Sequence, residues 1–251
     1  MSAPHRTAPA PRILEPGAPD GELARPQPGA APHVWLVRVA AHRESPGDAL
    51  TLLDEGERAR HAAFHRAADR DRYAAAHMAL RRLLGAYLGT EPGEITVGRE
   101  PCPLCGGPHG RPAVPGSGLH FSLSHSGELV LLAFAATPVG IDVEGPHDLA
   151  AVQDVSTSLH PCEQAELAAL GPAGRVSAFL RCWTRKEAYL KGTGEGLPGG
   201  LSHTYVGTGE LPAAVPGWTL RDIPVDGGHA AAVAVRLDQL SFSQPVESRR
   251  Q

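Results

Sequence analysis

Aromatic residues are scarce in this chain of 251 residues, at 5% of positions, which argues against a base-stacking surface. Positive charge is not in excess either: 23 basic side chains face 27 acidic ones, a balance that excludes a basic sleeve for nucleic acid. The longest apolar run, residues 129–136, is far too short to cross a bilayer as a helix, and no basic stretch followed by an apolar core opens the chain as a secretory signal would. The expected location is therefore cytoplasmic, with no membrane and no nucleic acid among the partners. Four cysteines cannot staple a chain of this length, and Cys102 and Cys105 have a Cys-x-x-Cys spacing that suits metal or redox chemistry better. A Gly-rich phosphate loop ending in Lys-Ser or Lys-Thr is missing, which disfavours the commonest nucleotide-binding enzymes. What remains is an ordinary globular composition, 42% hydrophobic and 20% charged, long enough for one large domain or two small ones.

Residues 1–32 hold eight of the 24 prolines and seven alanines without helical or strand periodicity, and are expected to form a disordered leader. Order is expected from His33, where Trp35, Val37 and Val39 line one face of a strand and Val34, Leu36 and Arg38 the other. From Pro46 to Leu88 the pattern turns helical, with Tyr73, Ala76, Leu80, Leu83, Leu84 and Tyr87 at intervals of three and four before Gly89. Residues 119–124 and 129–136 predict a hairpin, and residues 139–144 a further strand. His160-Pro-Cys-Glu163 carries the signature of a helix start, residues 175–190 predict a helix ended by Gly192, and residues 218–223 and 229–237 predict two last strands. Strands and helices recur in a similar order on both sides of Thr137. This predicts an α/β (α+β) fold of two similar subdomains in a pseudo-twofold arrangement, each a small sheet packed with helices, with the active site in the cleft between them. The expected division is the leader at 1–32, an N-terminal half at 33–137, a C-terminal half at 138–240 carrying the chemical motifs, and a loose tail at 241–251.

Alternate side chains of a strand share a face, so Asp142 and Glu144 stand side by side with Gly140 while Val139, Ile141 and Val143 point the other way. Two neighbouring carboxylates suit a hard cation such as magnesium, which completes its shell with water and phosphate; the plain alternative is an acidic solvent face. In Trp183-Thr-Arg-Lys186-Glu187-Ala-Tyr-Leu-Lys191, residues Trp183, Glu187 and Lys191 are four apart and stack on one helix face, with Lys186 one position round and within reach of the same site. A third carboxylate and two lysines can complete a metal shell, take a proton from an attacking hydroxyl and neutralise a leaving phosphate, although a surface helix with one Glu–Lys pair has the same pattern. Ser124 and His125 end a strand where donors can meet a phosphate oxygen. Arg58, Arg60, Arg66, Arg70, Arg72, Arg81, Arg82 and Arg111 could fork onto a polyanion, but most are expected on a solvated helix face. Cys102, Cys105 and His109 amount to an incomplete zinc site with no evident fourth ligand, so free cysteines in a tight Gly/Pro turn are the expectation.

In their order and spacing, Gly-Arg111-Pro112, Phe-Ser-Leu-Ser124-His125-Ser, Gly-Ile-Asp142-Val-Glu144 and the Trp183-to-Lys191 helix resemble the 4'-phosphopantetheinyl transferases of the Sfp type, over residues 33–237. The resemblance implies a magnesium-dependent holo-[carrier-protein] synthase, with manganese as a substitute ion. Such an enzyme transfers the 4'-phosphopantetheine group from coenzyme A to a serine of an acyl or peptidyl carrier protein, releasing 3',5'-ADP. It implies that Asp142, Glu144 and Glu187 hold the metal, that Glu187 is the base, and that Lys186 and Lys191 stabilise the departing phosphate. Arg60, Arg72, Arg111, Pro112, Ser124, His125, Asp142, Lys186 and Lys191 are the implied contacts to coenzyme A. Arg111 stands where the family usually has lysine, which keeps the charge and adds a planar fork; Leu159 replaces a family aromatic. Polyketide or nonribosomal peptide assembly is the implied setting and a monomer the implied state. The rivals are another phosphoryl or nucleotidyl transferase using the same carboxylates, and a catalytically silent carrier-binding or zinc-stabilised interaction protein on the same fold.

Overall fold

Two sheets stacked face to face organise the chain, and the computed structural model describes residues 10–43, 50–146, 148–196 and 200–238. The expected tail at 241–251 lies outside them. The first sheet runs β1-β2-β6-β5-β4-β3 and the second β7-β9-β8. In chain order the strands are β1 (Arg12–Ile13), β2 (His33–Arg38), β3 (Gly98–Arg99), β4 (Pro112–Ala113), β5 (His120–Ser126), β6 (Leu129–Ala135), β7 (Val139–Glu144), β8 (Trp218–Asp222) and β9 (Ala230–Arg236). The helices are α1 (Glu55–Ala63), α2 (Ala67–Leu88), α3 (Leu149–Ser156), α4 (Pro161–Ala168) and α5 (Pro172–Thr193). None of the described helices is long and apolar enough to cross a membrane.

Strand alternation explains the layering. Trp35 and Val37 of β2 and Val130, Leu132 and Phe134 of β6 face α2, whose Ala76, Leu80, Leu83 and Leu84 close the first core. Val34, Leu36, Leu131 and Ala133 point the other way and meet Val139, Ile141, Val143 and Val233 of the second sheet. The far face of that sheet, with Leu220, Ala232 and Ala234, is covered by Phe179, Cys182 and Ala188 of α5. The result is four layers, helix on sheet on sheet on helix, a mixed α/β architecture in which β6 and β9 are apolar on both faces.

The leader is tied to the first sheet from Arg12 onward, contrary to the expectation. β1 pairs in parallel with β2, Arg12 opposite Trp35 and Ile13 opposite Leu36. Leu14 is buried, Leu23 packs on the first core, and Arg25 Nε donates to the Tyr87 carbonyl at 2.9 Å. Two isolated leucines leave no periodic signal, yet they suffice once the open edge of β2 offers backbone partners. Arg81 is the second difference. It is fully buried rather than solvated, with Nε 2.5 Å from Glu57 Oε2, Nη2 2.6 Å from Asp54 Oδ2, and Nη1 donating to the Pro92 and Ile95 carbonyls. Asp54 and Glu57 also form the capping box that starts α1, so one pair of carboxylates both opens a helix and neutralises a cation in the core.

Candidate active site

The close approach of α5 to β7 builds the site. Gly140 has no side chain because the Ala188 carbonyl and the Gly192 amide occupy the space a Cβ would need. This lets the helix lie flat on the strand, and the next residue on that face of β7, Asp142, meets the helix face bearing Glu187 and Lys191. Asp142 is 2% exposed. Its Oδ1 accepts from Lys191 Nζ at 2.6 Å and from Ser124 Oγ at 2.7 Å, and Lys191 also donates to Ser124 Oγ at 3.0 Å. The other oxygen, Asp142 Oδ2, is buried without a partner, as is Glu187 Oε1. Burial, then the charges of Asp142 and Glu144, push the Glu187 carboxyl up to about 7, with Lys191 opposing.

Buried carboxylate oxygens without hydrogen-bond partners are costly, so a cation held by Asp142 Oδ2 and Glu187 Oε1 would relieve that cost. An all-oxygen donor set on one strand and one helix is chemically suited to a hard divalent cation. The three carboxylates do not draw together within 4.8 Å as a closed ligand set; Lys191 stands among them and supplies the compensating charge.

A hydroxyl ladder fixes the adjacent strand. Ser122 Oγ accepts from the Ile141 amide at 3.1 Å, Ser124 Oγ donates to Asp142, and Ser126 Oγ accepts from the Gly145 amide at 2.9 Å. Three serines on one face of β5 thereby join it to β7 where the two sheets meet. Sequence reasoning singled out Ser124 alone, although the period-two repeat Ser122, Ser124, Ser126 on a buried strand was a signal for the whole ladder.

A cleft of about 680 Å³ opens beside Lys191, lined from one half by Glu57, His77, Arg99, His109, Arg111 and Pro112 and from the other by Leu190, Lys191 and Gly194. Arg111 reaches across it: Nη1 donates to the Gly192 carbonyl at 2.7 Å and Nε to Glu100 Oε2 at 3.0 Å. Arg72 and His125 lie at the β5–β6 hairpin, where Arg72 pairs with Asp69 and reaches the Gly127 carbonyl. Crowding, and then the Arg72 and Lys191 charges, lower the pKa of the His125 imidazole. Arg60 stands exposed on the last turn of α1.

Lys186 is not in this constellation, a correction to the expectation. One residue from Glu187 is about a 100° turn of the helix, and that turn carries Lys186 into the interior, where Nζ pairs with Glu163 Oε2 at 2.7 Å and donates to the Thr204 carbonyl at 2.6 Å. Glu163 is itself fully buried, accepting from the amides of His160, Val206 and Gly207. The expected helix start at His160-Pro-Cys-Glu163 is present as a capping box. Nothing in the sequence marks the second role of Glu163 as the counter-ion of Lys186.

Because the folded, metal-free chain holds the Glu187 proton above its ordinary carboxylate range of 4.5, stability falls as pH climbs from that value towards 7. The charged form then costs up to about 3 kcal/mol. Glu187→Gln removes the cost. In chelator, the variant is expected to match the parent near pH 4 and to exceed it near pH 8 in denaturant unfolding. Equal unfolding midpoints at both pH values would show that burial does not strain this carboxylate.

The sequence profile of the 4'-phosphopantetheinyl transferase superfamily matches residues 138–224, the span holding β7, α5 and β8. The chain is 32% identical over 212 residues to the 4'-phosphopantetheinyl transferase HetI of Nostoc sp., covering 81% of this chain and 86% of that protein. It is 28% identical over 170 residues to a 4'-phosphopantetheinyl transferase of Bacillus subtilis, covering 65% and 70%. To Sfp of Bacillus subtilis strain 168 it is 31% identical over 90 residues, covering 36% and 40%.

Proposed function

The chain belongs to the 4'-phosphopantetheinyl transferase family, and from that premise we propose how its residues divide the work. The enzyme transfers the 4'-phosphopantetheine group of coenzyme A to a serine of an acyl or peptidyl carrier protein and releases 3',5'-ADP. We assign magnesium, or manganese in its place, to Asp142, Glu144 and Glu187. The observation carrying this assignment is the pair of unpartnered buried oxygens, Asp142 Oδ2 and Glu187 Oε1, beside Lys191. When bound, the cation supplies charge neutralisation and orientation for the pyrophosphate.

The chain's own groups do the rest. The serine oxygen forms a bond to the β-phosphorus as the bond to the 3',5'-ADP oxygen breaks. Glu187 is the acceptor for the serine proton. Lys191, held beside Asp142, is the fixed ammonium against which negative charge on the leaving group builds. Arg111 lines the cleft on the side opposite Lys191, and we assign it, with Pro112 and the hairpin groups Arg72, Ser124 and His125, to coenzyme A. Arg60 is assigned to the outer end of the same ligand. A cytoplasmic, monomeric enzyme acting on carriers of polyketide or nonribosomal peptide assembly belongs to the same proposal; one chain supplies both walls of the cleft. The silent interaction-protein reading is not favoured, since each carboxylate and Lys191 is intact at the site.

Intact-mass spectrometry of apo carrier proteins incubated with the enzyme, coenzyme A and magnesium tests this. The expected result is a gain of one phosphopantetheine that disappears in chelator and returns with magnesium or manganese. A gain indifferent to chelator would overturn the metal assignment, and no gain on carriers of both acyl and peptidyl type would overturn the transfer reaction.

A further inference from the structure

The tip of the turn between β3 and β4, residues 102–109, is given no role in the transfer above, yet it brings two thiols and an imidazole to one point. Ligand atoms of Cys102, Cys105 and His109 all lie within 4.8 Å of one another, and Cys105 Sγ is 3.0 Å from His109 Nε2. Two donors on one tetrahedral zinc ion stand about 3.6 Å apart, so the pair needs to open only slightly to admit the ion.

The turn is preformed by its backbone. The Cys102 amide donates to the Gly107 carbonyl at 2.8 Å, the Gly106 amide to the Cys102 carbonyl at 2.7 Å, and the Gly107 amide to Cys105 Sγ at 3.4 Å. Gly106 takes the left-handed conformation, φ 72°, which the reversal requires. All four cysteines are free among the described residues, and Cys105 and His109 are exposed while Cys102 is buried.

We propose that Cys102, Cys105 and His109 bind zinc, with the fourth position taken by a solvent molecule on the exposed side of Cys105 and His109. Two sulfurs and a nitrogen select a borderline-soft ion over magnesium, which demands oxygen. Binding displaces the thiol protons to solvent.

Arg111 lies two residues beyond His109 and clamps the Gly192 carbonyl. Zinc makes the turn a fixed support for that arginine, so that Cys105 and His109 are positioning residues for it. This second step rests on the coenzyme A reading; the metal itself does not.

The test uses the full chain, expressed without a metal-affinity tag, with metal measured by plasma mass spectrometry. One zinc per chain is expected, falling towards none in Cys105→Ser, an exposed position whose fold is checked by circular dichroism. If that variant does not fold, cobalt exchanged into the parent provides a second readout, the thiolate-to-cobalt charge-transfer band. A parent with neither zinc nor that band overturns the site, as does a Cys102–Cys105 disulfide seen by mass in non-reducing conditions. In carrier modification, zinc loss in Cys105→Ser should raise KM for coenzyme A several-fold with little change in kcat; unchanged KM overturns the support of Arg111. An inactive parent that still binds one zinc would count against the transferase reading alone.

Discussion

Asp142→Asn is expected to lower turnover of an apo carrier protein by about a hundredfold or more while the chain stays folded. The substitution keeps the shape of the side chain and its acceptor towards Lys191 and Ser124, so the ladder between β5 and β7 survives. What it removes is one full negative charge from the cradle assigned to the cation, together with the repulsion that helps to hold Glu187 near neutrality. The loss should fall on kcat as well as KM, because the interaction is made with the reacting phosphate rather than with the body of coenzyme A. Lys191 remains soluble without its partner, since its side chain is 32% exposed. Steady-state kinetics on one carrier, with thermal unfolding as the control, checks both halves. A variant that modifies the carrier at the parent rate, still in a chelator-sensitive way, would remove Asp142 from the metal site.

Gly140→Ala is expected to cost more than about 4 kcal/mol, enough to leave little folded protein. The obstacle is backbone on both sides: the new methyl would fall well inside van der Waals distance of the Ala188 carbonyl oxygen and the Gly192 nitrogen. Neither can rotate away, so α5 would have to lift from β7 along the strip where Asp142, Glu187 and Lys191 meet. Gly192→Ala is the instructive comparison. Its methyl would first meet the Trp218 ring at 2.7 Å, a side chain able to shift, and the penalty should be smaller. Far-UV circular dichroism and denaturant midpoints separate the two. A Gly140→Ala midpoint equal to that of the parent would show that the helix is not pinned there.

Wherever a residue's role is set within its own element, the sequence reveals it. Alternation placed Asp142 and Glu144 opposite the Val139, Ile141 and Val143 face, and those valines and Ile141 do lie between the sheets. Spacing by four brought Glu187 and Lys191 to the same neighbourhood, and the His160–Glu163 box opens α4 as its chemistry requires. The failures share one cause. Lys186, Arg81 and residues 10–32 find their partners through pairings distant in the chain: Lys186 with Glu163, Arg81 with Asp54 and Glu57, Arg12 and Ile13 with β2. Charge on a helix signals solvent by default, and only the third dimension shows when a counter-ion makes burial tolerable. Glu100 belongs with them, since its carboxylate pairs with Arg111 across the β3–β4 turn.

The apolar seam between the sheets bears on how the protein can be made at all. Only residues 136–138 connect β6 to β7, and the two strands bury against each other the moment both exist. A truncation after Thr137 would therefore not release a free-standing domain. It would leave Val34, Leu36, Leu129, Leu131, Ala133 and Ala135 as a bare hydrophobic wall, the kind of surface that sends a nascent chain to chaperones or inclusion bodies. On the ribosome, the first half must wait for the second before its sheet has anywhere dry to rest.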